Sequence, residues 1–594
     1  MTTIAATPVG SHHVHRSETR QPRDGFFLVV VLVVIAVATL AAYSFTETML
    51  AYDEASHLSG DTVQTRAAAE SAIEMTRRVL AQPATEQDAF GGLFNNPALF
   101  QAVTIVTPDV DGRAVNFSIL APAMDETGRL AGVRYGLRNE SAKLNVNALI
   151  ALDSNSELLA PAMSLMSGDA AGLADGLLGG MGGEMSDLSL AQSLLMALPG
   201  MTLDVADAIL DWLDEDDEPR PFGAEAEYYT TLPTPYEPKN GPIDSIEELL
   251  LVRGVTPDLL FGVDANRNGV VDAAEQQMGM ADVGSMSALG WSAFLTVHGQ
   301  EANRRRDGTP RININQESLE TLADELETAI DNPDYASFIL AYRIGGQAAE
   351  SAAGSAAEGM LGGVAGAGGG GGAGAGAGGR AGAGGGMMGG EDADAIPWTA
   401  DDAAGLDLTG GAGTQFSQIL DLIDATVTID NQVYSSPFTS DPIQMSLYMP
   451  LLMESLTTQD FDKMPGRINI NDCPAELLYG IPMLDADSAA AILEARAQPG
   501  ESENRNYETW PLVEGLISLE MMRGLMPLVT AGGDVYSAQI IGYHETAAAS
   551  TRLEVIIDAT SVNPKVVLYR DLSHLGRGFD LSVLGIRHFV PEAN

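Results

Sequence analysis

Residues Gly25–Thr46 read GFFLVVVLVVIAVATLAAYSFT and carry no charge. As a helix, at ~1.5 Å per residue, the run is about 33 Å long, enough to cross the ~30 Å hydrocarbon core of a bilayer. Arg16, Arg20 and Arg23 precede it, and Glu47, Asp53 and Glu54 follow. By the positive-inside pattern the N-terminus is cytoplasmic and the bulk lies across the membrane. A cleaved signal peptide is the competing reading, but no A-x-A site closes the run; Ala36-Val37-Ala38 lies within it. Helix-forming sequence also continues past the apolar run. Asp53 to Gln82 has no proline and is rich in alanine, with Ala67, Ala68, Ala69, Ala72, Ile73, Met75 and Leu80. The plan is an apolar helix that runs straight into an amphipathic one.

The whole chain has 594 residues, room for about three to five domains at roughly 100–200 residues each. A hydrophobic fraction of 45% supports large cores. With 31 Lys+Arg against 81 Asp+Glu, the net charge is −50. Such a surface repels nucleic-acid backbones, and the densest basic run is only Arg304, Arg305 and Arg306, beside Asp307. One cysteine, Cys473, excludes an intrachain disulfide and any multi-cysteine metal site. The eight histidines show no H-E-x-x-H spacing. Walker, dinucleotide and G-x-S-x-G signatures are also missing, so no catalytic constellation stands out.

Period-2 alternation predicts strands at Gln101–Thr107, Ala114–Leu120 and Val133–Leu137, then at Tyr536–Tyr543, Arg552–Asp558 and Lys565–Tyr569. Between the two groups an internal repeat opens three segments: Lys143-Leu-Asn-Val-Asn147, Arg311-Ile-Asn-Ile-Asn315 and Arg467-Ile-Asn-Ile-Asn471. Each reads as a short strand whose second asparagine, Asn147, Asn315 or Asn471, is placed to N-cap a helix. Gly168–Gly183 and Gly354–Gly390 are low in complexity, and the second reads as a flexible tether.

One stretch carries metal chemistry. Asp264-Ala-Asn-Arg-Asn-Gly-Val-Val-Asp-Ala-Ala-Glu275 has the residue types of a twelve-residue EF-hand loop. Asp264, Asn266, Asn268, the Val270 carbonyl, Asp272 and Glu275 are the expected Ca²⁺ ligands, and Gly269 supplies the turn. The acidic run Asp211, Asp214, Asp216 and Asp217 is a weaker second candidate, with a solvated helix end as its plain alternative.

These features together resemble a known family. A short basic leader ending in Gly25, directly before Phe26 and an apolar helix, resembles type IV pilins and pseudopilins. The resemblance implies cleavage by a prepilin peptidase between Gly25 and Phe26, then N-methylation of Phe26. Most such proteins carry Glu at mature position five, and here Val30 stands there. That departure, with Leu144-Asn-Val-Asn-Ala148, Asp211-Trp-Leu-Asp214, Gly223-Ala-Glu225, Tyr228-Tyr229, Leu249-Leu-Leu-Val-Arg-Gly254 and Arg467-Ile-Asn-Ile-Asn471, resembles the minor pseudopilin K of type II secretion.

The resemblance implies an α+β fold, with an N-terminal transmembrane helix continuing into a pilin-like α/β head. A large, mostly helical domain with helix-hairpin-helix-like units is inserted in that head. The expected divisions are 1–25 leader, 26–46 transmembrane helix, 47–149 pseudopilin helix and small sheet, and 150–310 helical domain with the EF-hand-like loop. They continue with 311–350 second repeat unit, 351–396 Gly/Ala-rich linker, 397–533 helical region and 534–594 C-terminal strands. The implied role is structural: capping the tip of a pseudopilus, with minor pseudopilins I and J and the inner-membrane secretion components as partners. A membrane-anchored DNA receptor built on the helix-hairpin-helix copies is an alternative, as is an anchored calcium-dependent hydrolase. The net charge argues against nucleic acid, since phosphate contact needs donors and positive charge.

Overall fold

The computed structural model describes residues 24–107, 114–154, 188–272, 275, 288–346, 395–410, 413–498, 502–544 and 549–586. The leader before Asp24 and both low-complexity tracts lie outside the described residues. The chain divides into two units, Met1–Gln64 and Thr65–Asn594.

Helix α1 runs Asp24–Leu80 without interruption. No proline stands within it to break the hydrogen-bond ladder. In the first unit its apolar side chains are bare: Phe26 is 79% exposed and Leu40 68%. It is the one helix among the described residues long and apolar enough to cross a membrane.

In the second unit α1 becomes a packing helix. Thr65, Ala68, Ala69, Ala72, Ile73, Thr76 and Leu80 are buried, a stripe at helical spacing. They cover an antiparallel sheet of β1 (Val103–Val106), β2 (Val115–Met124), β3 (Leu130–Tyr135), β4 (Arg138–Asn139), β5 (Val535–His544), β6 (Ser550–Asp558) and β7 (Lys565–Asp571). The main path is β1-β2-β5-β6-β7, with β3 also on β2 and β4 on β5. Phe117, Ile119, Ile540, Leu553 and Val555 meet the helix in one apolar cluster. Gly542 lets the two elements touch, because a Cβ there would lie 2.0 Å from the Thr65 carbonyl oxygen. Beside it the Thr65 and Thr551 hydroxyls share a 2.9 Å hydrogen bond.

The sheet joins strands some 400 residues apart in the chain. Ile540 of β5 pairs with Ile119 of β2, and Ile541 pairs with Ser118. The C-terminal strand β5 therefore sits in the middle of the sheet that the first strands begin, and β6 and β7 extend it to the far edge. The described residues between β4 and β5 are inserted into this head. The sequence placed these strands to within a few residues, and the fold is α+β, as expected.

The insertion is built as three closed units in tandem. Leu144-Asn145 pairs in parallel with Leu295-Thr296, Ile312-Asn313 with Leu456-Thr457, and Ile468-Asn469 with Val529-Thr530. Each repeat opening is thus clasped by an apolar–Thr dipeptide that ends its own unit. One continuous apolar core, with Trp212, Trp291, Phe338, Leu452 and Trp510, runs through all three.

The expected N-caps are corrected here. The first asparagine of each opening, Asn145, Asn313 or Asn469, accepts the N–H of the second at 3.1, 2.8 and 2.9 Å. The second asparagine is left free to reach across the unit. Asn147 donates to the Ile243 carbonyl and accepts the Ile243 N–H, at 2.9 Å each. Asn315 does the same with Phe416, at 2.9 and 2.8 Å. Asn471 donates to the carbonyls of Arg505 and Ala531. A side-chain amide carries one acceptor and two donors, so it pairs with backbone as a strand neighbour does.

A buried charge locks the first clasp. Glu140 lies 2.8 Å from the Lys143 ammonium and accepts the Thr296 hydroxyl. Burial works against its ionisation, but Lys143 and these hydrogen bonds win and hold the carboxyl down at about 2. The folded value is below the unfolded one. The clasp therefore contributes fully above about pH 4.5 and is lost as pH falls towards 2, a swing of roughly 1–3 kcal/mol. Acid titration of stability checks this: Glu140→Gln should flatten the curve between those values.

Candidate metal centre

The EF-hand-like loop begins where a short helix, Pro257–Phe261, ends at Gly262. Its polar groups converge. Asp264 accepts the N–H groups of Asn268 and Gly269, at 3.1 and 2.7 Å. Asn268 accepts the Val270 N–H at 2.8 Å. Glu275 accepts the N–H groups of Asn266 and Asp272 at 3.1 Å, and Asp272 accepts the Glu275 N–H at 3.0 Å. Asp264, Asn268 and Glu275 are buried, and the Asn266 side-chain oxygen is buried without a partner. Burial, then nearby Glu275, raises the Asp264 carboxyl to about 6. Among the described residues no three His, Cys, Asp or Glu side chains already stand as a ligand set. The loop still fits a hard cation by its donor chemistry: carboxylate, amide and carbonyl oxygens in the right order, with one amide oxygen orphaned.

The loop is held against the head by residues that no motif announces. Arg552 of β6 is fully buried and donates to the carbonyls of Asn266 and Arg267, 2.8 Å each, and to Gln539 at 2.9 Å. Asn268 donates to the Gly578 carbonyl, and Gln539 to that of Arg267. Gly269, at φ +78°, sits on Pro122; a Cβ there would lie 2.6 Å from the proline ring. Burial pushes the Arg552 guanidinium down to about 10.

The second acidic candidate separates into two parts. On α2 (Leu203–Leu213) and just past it, Asp211 and Asp214 face inward to Arg220, 3.4 Å from each. Asp216 and Asp217 are exposed; Asp216 accepts the Glu218 N–H, and Asp217 accepts the Asn240 amide. Asp211 tucks against Gly223, where a Cβ would lie 1.8 Å from its carboxylate. Sequence spacing missed Glu225. Both its carboxylate oxygens are buried with no hydrogen-bond partner. Burial, with Asp211 and Asp214 nearby, raises it to about 7, and burial with Asp216 raises Asp214 to about 6. Two carboxylates facing one arginine, with a third buried nearby, leave negative charge that a cation would balance.

Gly25 and Phe26 lie in the first turn of α1, and Val30 is 42% exposed on it. The hairpin of the third unit joins α3 (Ala475–Tyr479) to α4 (Ala486–Ala497). At its helix entry Asp485 accepts the Ser488 N–H at 2.8 Å. A carboxylate already occupies the position where a phosphate would be held.

The family model described as type II secretion system (T2SS), protein K, matches residues 142–262. That stretch includes the first repeat opening, α2, Glu225 and the Leu249–Gly254 turn. No curated protein matches. A chain in the crystal structure of the GspK-GspI-GspJ complex from the enterotoxigenic Escherichia coli type 2 secretion system aligns over 89% of this chain and 98% of its own. It does so at 10% identity and a TM-score of 0.32, too loose a superposition to argue from. Residues 142–262, the stretch that matches the type II secretion system protein K model, thus lie between the two groups of strands that build the head sheet.

Proposed function

We propose that this chain is the minor pseudopilin that caps the tip of a type II secretion pseudopilus. The observation that carries the reading is the protein K domain inserted in a sheet that packs on the continuation of the apolar helix. The anchor lies in the inner membrane and the bulk in the periplasm. A prepilin peptidase cuts after Gly25. With Val30 in place of the usual Glu, the subunit makes no charge pair with a neighbour ahead of it. The bulky insertion blocks addition above it. Its partners are the minor pseudopilins I and J, in a structural role that helps move folded proteins across the outer membrane.

Calcium belongs to the same proposal. Asp264, Asn266, Asn268, Val270, Asp272 and Glu275 would hold one ion, and Asp211, Asp214 and Glu225 a second. The ion supplies positive charge to carboxylates that the fold buries. These residues hold the loop and the end of α2 in shape, and through Arg552 the loop in turn braces the head. The DNA-receptor reading gains no support, since Asp485 fills the hairpin's anion position.

The test is co-purification of the full chain in detergent with the I and J subunits, in calcium and in chelator. A ternary complex that forms in calcium and dissociates in chelator is expected. A complex indifferent to chelator would detach calcium from assembly. No complex in either condition would overturn the tip assignment.

A further inference from the structure

A cavity of about 440 Å³ lies where the insertion meets the end of α1 and the head sheet, far above the ~10–15 Å³ that one water needs. Its wall is a tight hairpin: the Arg305 N–H donates to the Thr309 carbonyl at 2.8 Å, and Arg304 bridges Pro310. Arg304, Arg305 and Arg311 line the cavity, and none forms an ion pair with a described residue. The Nε atoms of Arg305 and Arg311 are buried with no hydrogen-bond partner.

The carboxylates nearby are engaged. Glu301 and Glu508 both bind Arg467, at 2.8 and 2.9 Å. Asp307 accepts the N–H and hydroxyl of Thr309 in its own turn. Asp534, which feels the charges of Arg311 and Arg304, accepts the Ala302 N–H at 2.7 Å. Three arginines therefore line one cavity, two of them with an unpartnered buried Nε, in a chain of net charge −50. Guanidinium forks match oxyanions in two parallel hydrogen bonds, and a half-enclosed site screens them less than open water does.

We propose that this cavity is an oxyanion-binding pocket, with Arg305 and Arg311 as the principal donors to a carboxylate or phosphate group. Either source presents the same planar pair of oxygens to the same forks.

Isothermal titration of the full chain in detergent, at low and moderate salt, tests the pocket with inorganic phosphate and with a tetra-aspartate peptide. Saturable binding of either probe is expected, weakening with salt, and the better probe identifies the source. Arg305→Gln and Arg311→Gln should each weaken it about tenfold, and Arg305→Lys less, with unchanged circular dichroism. No binding of either probe, or equal binding by the folded variants, would overturn the proposal.

Discussion

Replacing Arg552 with methionine is expected to destabilise the junction of loop and sheet by about 3–5 kcal/mol. The side chain is fully buried and serves three acceptors: the carbonyls of Asn266 and Arg267 and the Gln539 side chain. Methionine fills the space but donates nothing, and each orphaned buried acceptor costs roughly 1–3 kcal/mol. Gly578 and the Phe579 ring close around the guanidinium, so water has little room to replace it. The change should also uncouple two parts of the molecule. All four tryptophans, Trp212, Trp291, Trp398 and Trp510, are buried in the insertion, whereas β5 and β6 belong to the head. Denaturation of the full chain followed by tryptophan fluorescence and by far-ultraviolet circular dichroism should coincide in the wild type and separate in the variant. A loss under about 1 kcal/mol with coincident curves would show that the loop does not depend on this contact.

Arg467→Met is expected to cost a similar amount, about 3–5 kcal/mol at neutral pH, for a different reason. Arg467 opens the third repeat and spans two acids. Its Nη2 lies 2.8 Å from Glu301, its Nη1 2.9 Å from Glu508 and 3.0 Å from the Met526 carbonyl. Burial by itself would lower its pKa, but Glu301 and then Glu508 outweigh that and raise it. Without the guanidinium, two buried carboxylates lose the cation that pairs them both. The penalty is therefore mostly the stranded charge, and neutralising it should restore stability. The triple variant Arg467→Met, Glu301→Gln, Glu508→Gln is expected to recover more than half of the loss in the same denaturation experiment. Arg467→Lys should recover less, because a point charge cannot fork between two acids. If the triple variant is no more stable than the single one, packing rather than charge holds this clasp.

Local pattern alone makes several elements legible. The apolar run and the alanine-rich stretch after it specify α1, because helix period and the lack of proline are local properties. The six strand segments were legible for the same reason, since alternation needs no knowledge of the partner. The openings of the three units were visible as a repeat. Their closings, Leu295-Thr296, Leu456-Thr457 and Val529-Thr530, were not, because a two-residue strand leaves no periodic signal. The role of Asn147, Asn315 and Asn471 was misread because a side-chain amide after an extended residue suits a helix cap and a backbone clasp equally well. At the candidate sites the order of oxygen-bearing side chains over Asp264–Glu275 stood in the sequence. Arg552, some 280 residues further on, and Glu225, separated from Asp214 by a proline-containing turn, did not.

The sequence by itself determined the long N-terminal helix, the six longer strand segments and the openings of the three units, and that one segment suits a membrane. Tertiary structure alone decided that β5 enters the sheet beside β2, that each repeat closes on its own apolar–Thr pair, and which charges face one another in the interior. The reason is physical. Secondary structure answers to neighbours a few residues away. Strand pairing and charge compensation answer to whatever the burial of both faces of a sheet brings together, and here that is the two ends of the chain.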